Sequence, residues 1–91
     1  MLLIIDNQGG FAREMAPFAE ELKIIFARDA AQVTPNLPIL KPEDVIIVPH
    51  TNMEATLREQ GITNKIVPLQ YRNATVQDLN NAAIGHPRYG T

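Results

Sequence analysis

Four polar clusters hold the residues that could do chemistry: Asp6-Asn7-Gln8-Gly9-Gly10, Arg28-Asp29, His50-Thr51-Asn52 and Tyr71-Arg72-Asn73. Together they offer two guanidiniums, one imidazole, two carboxylates and several amides. Guanidiniums such as those of Arg28 and Arg72 pair with phosphate or carboxylate. Gly9-Gly10 lets backbone amides come close to a ligand. The set reads as a pocket for a nucleotide or another anionic small molecule. A plainer account also fits, because βα turns need Asp, Asn and Gly for their own backbone geometry. His50 opens a third reading. A neutral imidazole serves as acid or base, and Asp6 or Asp29 is available to orient it, which would make a minimal His/Asp enzyme. Otherwise His50 contacts ligand or caps a helix.

Composition narrows the chemistry. The 91 residues include no Ser, Cys or Trp. There is therefore no serine triad, no cysteine nucleophile, no thiolate zinc site and no disulfide framework. The only histidines are His50 and His86, so neither a metal site nor a cofactor is expected. A net charge of −2 argues against a dedicated nucleic-acid binder. The run Met1–Ile5 is short, lacks a basic region before it and is followed by Asp6. It is expected to be neither a signal peptide nor a membrane span. A cysteine-free chain suits a reducing cytosol, so a cytoplasmic protein without a membrane partner is expected.

Positioning these clusters is the task of four short apolar runs: Leu2–Ile5, Ile24–Ala27, Val45–Val48 and Ile66–Leu69. The first and third are continuously apolar, which predicts strands buried on both faces of a parallel sheet. Between the runs lie helical patterns. Phe11, Met15, Phe18 or Ala19, and Leu22 fall on one helix face, with Pro17 predicting a kink or a helix starting near Ala16. Thr51 or Asn52 is expected to cap a second helix with Met53 and Leu57 inward and Gly61 as its stop. Thr75 is expected to cap a third, striped by Val76, Leu79, Ala83 and Ile84 and ended by Gly85 and Pro87. Residues 29–44 carry Pro35, Pro38 and Pro42, predicting a stiff loop or a single helical turn at most.

The order β-α-β-loop-β-α-β-α implies right-handed crossovers and an α/β fold. The expected architecture is a small three-layer, Rossmann- or flavodoxin-like domain over residues 1–85. It has about four parallel strands in the order 2-1-3-4, two or three helices, and a tail over 86–91. Ligands bind outside the carboxyl ends of such strands, so all four polar clusters are expected on one edge. A loop in place of the second crossover helix would leave part of one sheet face bare. A chain this small also buries only about 60–65% of its unfolded surface. Both points predict a homo-oligomer. Tyr71 and the tail residues His86, Arg88 and Tyr89 are the candidate interface, since Tyr and Arg are enriched there.

Over residues 2–49 the chain also resembles a known family. Asp6-Asn7-Gln8-Gly9-Gly10-Phe11 after the first strand, Thr34-Pro35 after the second, and Lys41-Pro42-Glu43-Asp44-Val45 leading into the third are similar to the opening β-α-β of class I glutamine amidotransferases. The likeness is greatest to the amidotransferase subunit of GMP synthetase. After Val48 the patterns part. The family continues with a Gly/Pro-rich oxyanion region and a nucleophilic cysteine, where this chain has Pro49-His50-Thr51-Asn52 and no cysteine at all. The resemblance implies a non-hydrolytic relative that keeps the first half of the scaffold, and it carries over no catalytic residue. The function expected first is therefore that of a non-catalytic α/β protein acting through self-association or partner binding. A nucleotide or anionic-metabolite sensor is the alternative, and a minimal His/Asp enzyme the third.

Overall fold

The four apolar runs pair as strands of one parallel sheet: β1 (Leu2–Ile5), β2 (Ile24–Ala27), β3 (Val45–Val48) and β4 (Lys65–Pro68). The computed structural model describes residues 1–83, so the interface residues expected at His86, Arg88 and Tyr89 lie outside the described residues. The strand order is β2-β1-β3-β4, as the alternation of elements predicted. Leu2 stands opposite Ile24 on one side and Val45 on the other, and Val45 opposite Lys65. The central strands β1 and β3 are buried at every position, which explains their unbroken apolar character.

Side-chain alternation divides the core in two. On one face Leu2, Ile4, Val45, Ile47 and Val67 meet Phe11, Met15, Leu79 and Ala82. On the other, Leu3, Ile5, Ile46, Val48 and Ile66 meet Val33, Leu57 and Ile62. The first face is covered by α1 (Gly10–Met15), a 3-10 turn over Ala16–Phe18, α2 (Ala19–Leu22) and α5 (Val76–Ala83). The kink expected at Pro17 is this 3-10 turn, with the proline in its first positions where no N–H is required. Thr75 begins α5 as expected. Its backbone N–H and hydroxyl donate to the Asp78 carboxylate, and its hydroxyl oxygen accepts from the Asp78 amide, a reciprocal capping box.

The second face corrects the expectation for residues 29–44. That stretch is three linked helical turns: Ala30–Gln32 and Leu37–Ile39 as 3-10, and α3 (Val33–Asn36) between them. Asp29 caps the start by accepting from the Gln32 amide at 3.2 Å. Pro35 sits in the first turn of α3, where its missing donor costs nothing. Val33 is 0% exposed beneath this segment. The part of the sheet face expected to be bare is thus covered, and among the described residues the helical cover is divided into five short α-helices. Among the described side chains the exposed large apolar ones are Met1 and Ile39. The same face carries α4 (Thr51–Glu59), which Gly61 ends with a φ of 85°. Its cap position is His50, with no side-chain cap bond, rather than the expected Thr51 or Asn52. Among the described residues no helix is long and apolar enough to cross a membrane.

The amino-terminal edge of the sheet is closed by a polar knot. The Asp44 carboxylate accepts from the Lys41 amide at 2.8 Å and the Met1 ammonium at 3.1 Å. The Asn64 amide donates to the Lys41 and Asp44 carbonyls. The Arg58 guanidinium donates to the Ile62 and Asn64 carbonyls at 2.7 and 2.8 Å. Burial pushes the Asp44 carboxyl up, but the Lys41 amide and the Met1 ammonium outweigh it and hold it below its ordinary value. With every group committed inward, this edge is structural. Chemistry has to be sought at the other.

Candidate functional site at the carboxyl edge of the sheet

The strand order reverses between β1 and β3, and in open α/β sheets that switch point is where a crevice forms. Here the chain fills the crevice itself. The Tyr71 hydroxyl lies within 2.6 Å of the Ile5 carbonyl and 3.2 Å of the Ile47 carbonyl, donating across the ends of β1 and β3. Its ring stacks on Phe11, with centroids 4.3 Å apart and planes 15° from parallel. There is a reason in the ladder. The Val45 amide donates to the Met1 carbonyl. Repeating that spacing along the parallel register, the donor for the Ile5 carbonyl would be the amide of residue 49. Residue 49 is proline and has none. Tyr71 supplies the missing donor. Burial, with a smaller contribution from the Asp6 charge, pushes the phenol far above its usual value, so it stays a neutral donor.

Beside this plug lies an open cleft of about 400 Å³, lined by Asp6, Gln8, Gly10, Phe11, Glu14, Tyr71 and Arg72. A second cavity of about 230 Å³ lies towards β2, lined in part by Asp6, Gln8, Phe26 and Arg28. Asn7 and Gly9 line the second cavity as well. The first polar cluster, Arg28 of the second and Tyr71-Arg72 of the fourth therefore line cavities that meet at Asp6 and Gln8. Gly9, at the head of α1, has a φ of 80°, which favours glycine.

Asp6 organises the turn between β1 and α1. It is 8% exposed. One carboxylate oxygen accepts from the Gln8 amide at 3.2 Å and the other from the Ala12 amide at 2.9 Å. Those two amides are thus already occupied by the chain's own carboxylate. Charge neutralisation of a ligand falls to the guanidiniums. Arg28 and Arg72 are exposed and, among the described residues, make no hydrogen bond or ion pair through their head groups, in contrast to Arg58.

His50, Thr51 and Asn52 stand apart. They open α4 on the opposite face of the sheet, are exposed, and line neither cavity. No hydrogen bond joins His50 to Asp6 or Asp29 among the described residues; Asp6 is committed to backbone amides and Asp29 to the Gln32 amide. Two cleft residues escaped the sequence reading, Phe11 and Glu14. The helical pattern places Phe11 on the apolar face of the first helix and does not single out Glu14. Their spacing from Gly10 places all three along one side of α1, which was the available signal.

No protein-family model matches the chain, and neither a curated protein nor a solved structure matches it.

Proposed function

We propose that this protein is a small α/β binding domain that holds a nucleotide or another anionic metabolite in the cleft beside Tyr71, without catalysing a reaction on it. The observation that carries the proposal is the Arg72 guanidinium, without a partner among the described residues, at a cleft walled by the Phe11–Tyr71 stack. An aromatic wall next to a free cation suits a ligand with a planar or apolar part and an anionic group. Glu14 lines the same cleft, so a ligand that presents hydroxyl or amino donors to it is favoured. Sugar hydroxyls meet that need.

Binding is favoured over chemistry by the state of the reactive groups. The Tyr71 hydroxyl is half-buried, bonded and held neutral. Asp6 is spent on two amides, and His50 lines neither cavity. The chain has no Ser or Cys to act as a nucleophile. Self-association loses one of its two supports, since the segment over residues 30–39 covers the sheet face that was expected to be bare. If the likeness to glutamine amidotransferases reflects kinship, the domain is a relative that kept the scaffold and the polar edge but not the hydrolysis.

The test is thermal unfolding across a panel of nucleotides and sugar phosphates, with Arg72→Ala alongside. A binder at a hundredfold excess over its dissociation constant adds about 2.7 kcal/mol of stability. That gain should vanish in Arg72→Ala. Absence of stabilisation across the panel would rule the proposal out.

A further inference from the structure

We infer that the two cavities at the carboxyl edge form one bipartite site, and that its ligand is a metabolite carrying an anionic group at each end. The inference rests on the binding proposed above and adds the ligand's class. The cavities share Asp6 and Gln8 as lining residues, so they meet across the turn between β1 and α1. Each is lined by a guanidinium without a partner among the described residues, Arg72 in one and Arg28 in the other, and each has an aromatic side chain in its wall, Tyr71 and Phe26 respectively. One anion would satisfy one guanidinium and leave the other idle.

The sheet sets the span. Arg28 follows β2, while Tyr71 sits over the ends of β1 and β3. With strands about 4.8 Å apart, the end of β2 and the Tyr71 hydroxyl stand roughly 7–10 Å from each other, and the two arginines reach out from these points. Asp6 already holds the amides of Gln8 and Ala12, so neither of these is a third anchor. Gln8, exposed and common to both cavities, is placed to donate to the middle of the ligand.

The experiment is calorimetric titration of the intact chain with butane-1,4-diyl, hexane-1,6-diyl and octane-1,8-diyl bisphosphate, against hexyl monophosphate. Linking two anchored groups raises affinity by their effective concentration, most when the linker matches the span. The six-carbon bisphosphate should bind at least about tenfold tighter than the monophosphate. Arg28→Gln should reduce it to the level of the monophosphate, and Arg72→Gln should abolish it. Among the described residues neither guanidinium has a bond to lose, so both variants should fold, which circular dichroism checks. Equal affinity of bisphosphates and monophosphate would overturn the bipartite site. So would an advantage that survives Arg28→Gln. If the monophosphate binds and needs Arg72 while no bisphosphate gains, the proposed function stands and the bipartite site falls. If nothing binds, both fall.

Discussion

The hydroxyl of Tyr71 takes the place of the amide that Pro49 lacks. It reaches the Ile5 carbonyl at 2.6 Å, across 66 positions of sequence, where the β1–β3 ladder runs out of donors. A buried carbonyl left without a partner costs about 1–3 kcal/mol, so a residue late in the chain completes the sheet its first strand begins. The same contact fixes the ring that forms one wall of the cleft. Stability and site geometry thus share one side chain.

Tyr71→Phe should keep the stack on Phe11 and lose the two carbonyl bonds, lowering stability by about 1–2 kcal/mol in chemical denaturation. Tyr71→Ala should lose the stack as well, at about 3–5 kcal/mol. Pro49→Ala restores a backbone donor to residue 49. In that background Tyr71→Phe should cost measurably less, and a double-mutant cycle should give a coupling above about 0.5 kcal/mol. Strict additivity would show that the two residues do not serve the same carbonyl.

The polar knot at the opposite edge predicts an acid limb. The Asp44 carboxyl titrates below its ordinary value of 3.8 in the folded protein. A depressed folded pKa gives stability that is fully present above the unfolded value and is lost as pH falls through the folded one. Asp44→Asn should therefore flatten the loss of stability below about pH 4. Acid titrations followed by circular dichroism measure this directly. Asn64→Ala, which orphans the Lys41 and Asp44 carbonyls, should cost about 2–3 kcal/mol at neutral pH.

Cover over the second sheet face depends on Val33, which is 0% exposed in a segment with few other apolar anchors. Val33→Ala should cost about 2 kcal/mol. It should also speed amide exchange over residues 30–39 ahead of the strands, since a weakly anchored segment opens locally. Exchange unchanged there would show that the three linked turns hold without this side chain.

Glu14 lines the cleft with Arg72 and opposes an anion there. Glu14→Gln should tighten binding of an anionic ligand by a few-fold, with the gain shrinking as salt rises. His50→Ala, remote from both cavities, should leave binding unchanged. A titration with the two variants side by side separates the cleft from the His50 edge.

Much of the fold was legible because its strands are short apolar runs bounded by turn residues. Burial on both faces made β1 and β3 unmistakable, and simple alternation of elements led to the order 2-1-3-4. The crossover over 30–39 was not legible. Pro35 and Pro38 broke its periodicity, and a run of 3-10 and α turns buries too few residues to print an apolar stripe. At the site, the rule that ligands bind at strand carboxyl ends found Asp6, Gln8, Gly10, Arg28 and Arg72, all of which line the cavities. It also gathered His50, Thr51 and Asn52, which share the edge but open a helix on the other face of the sheet. Tyr71 was assigned to an interface on composition. Its bond to Ile5 depends on a contact 66 residues apart, which no local pattern encodes.

The central claim is that the Arg72 cleft binds anionic metabolites, and calorimetric titration of wild type, Arg72→Ala and His50→Ala with the best stabiliser from the nucleotide and sugar-phosphate panel tests it most directly. The account predicts saturable binding in wild type and His50→Ala and none in Arg72→Ala. Binding that persists in Arg72→Ala, or that disappears in His50→Ala while the fold is intact, would contradict it.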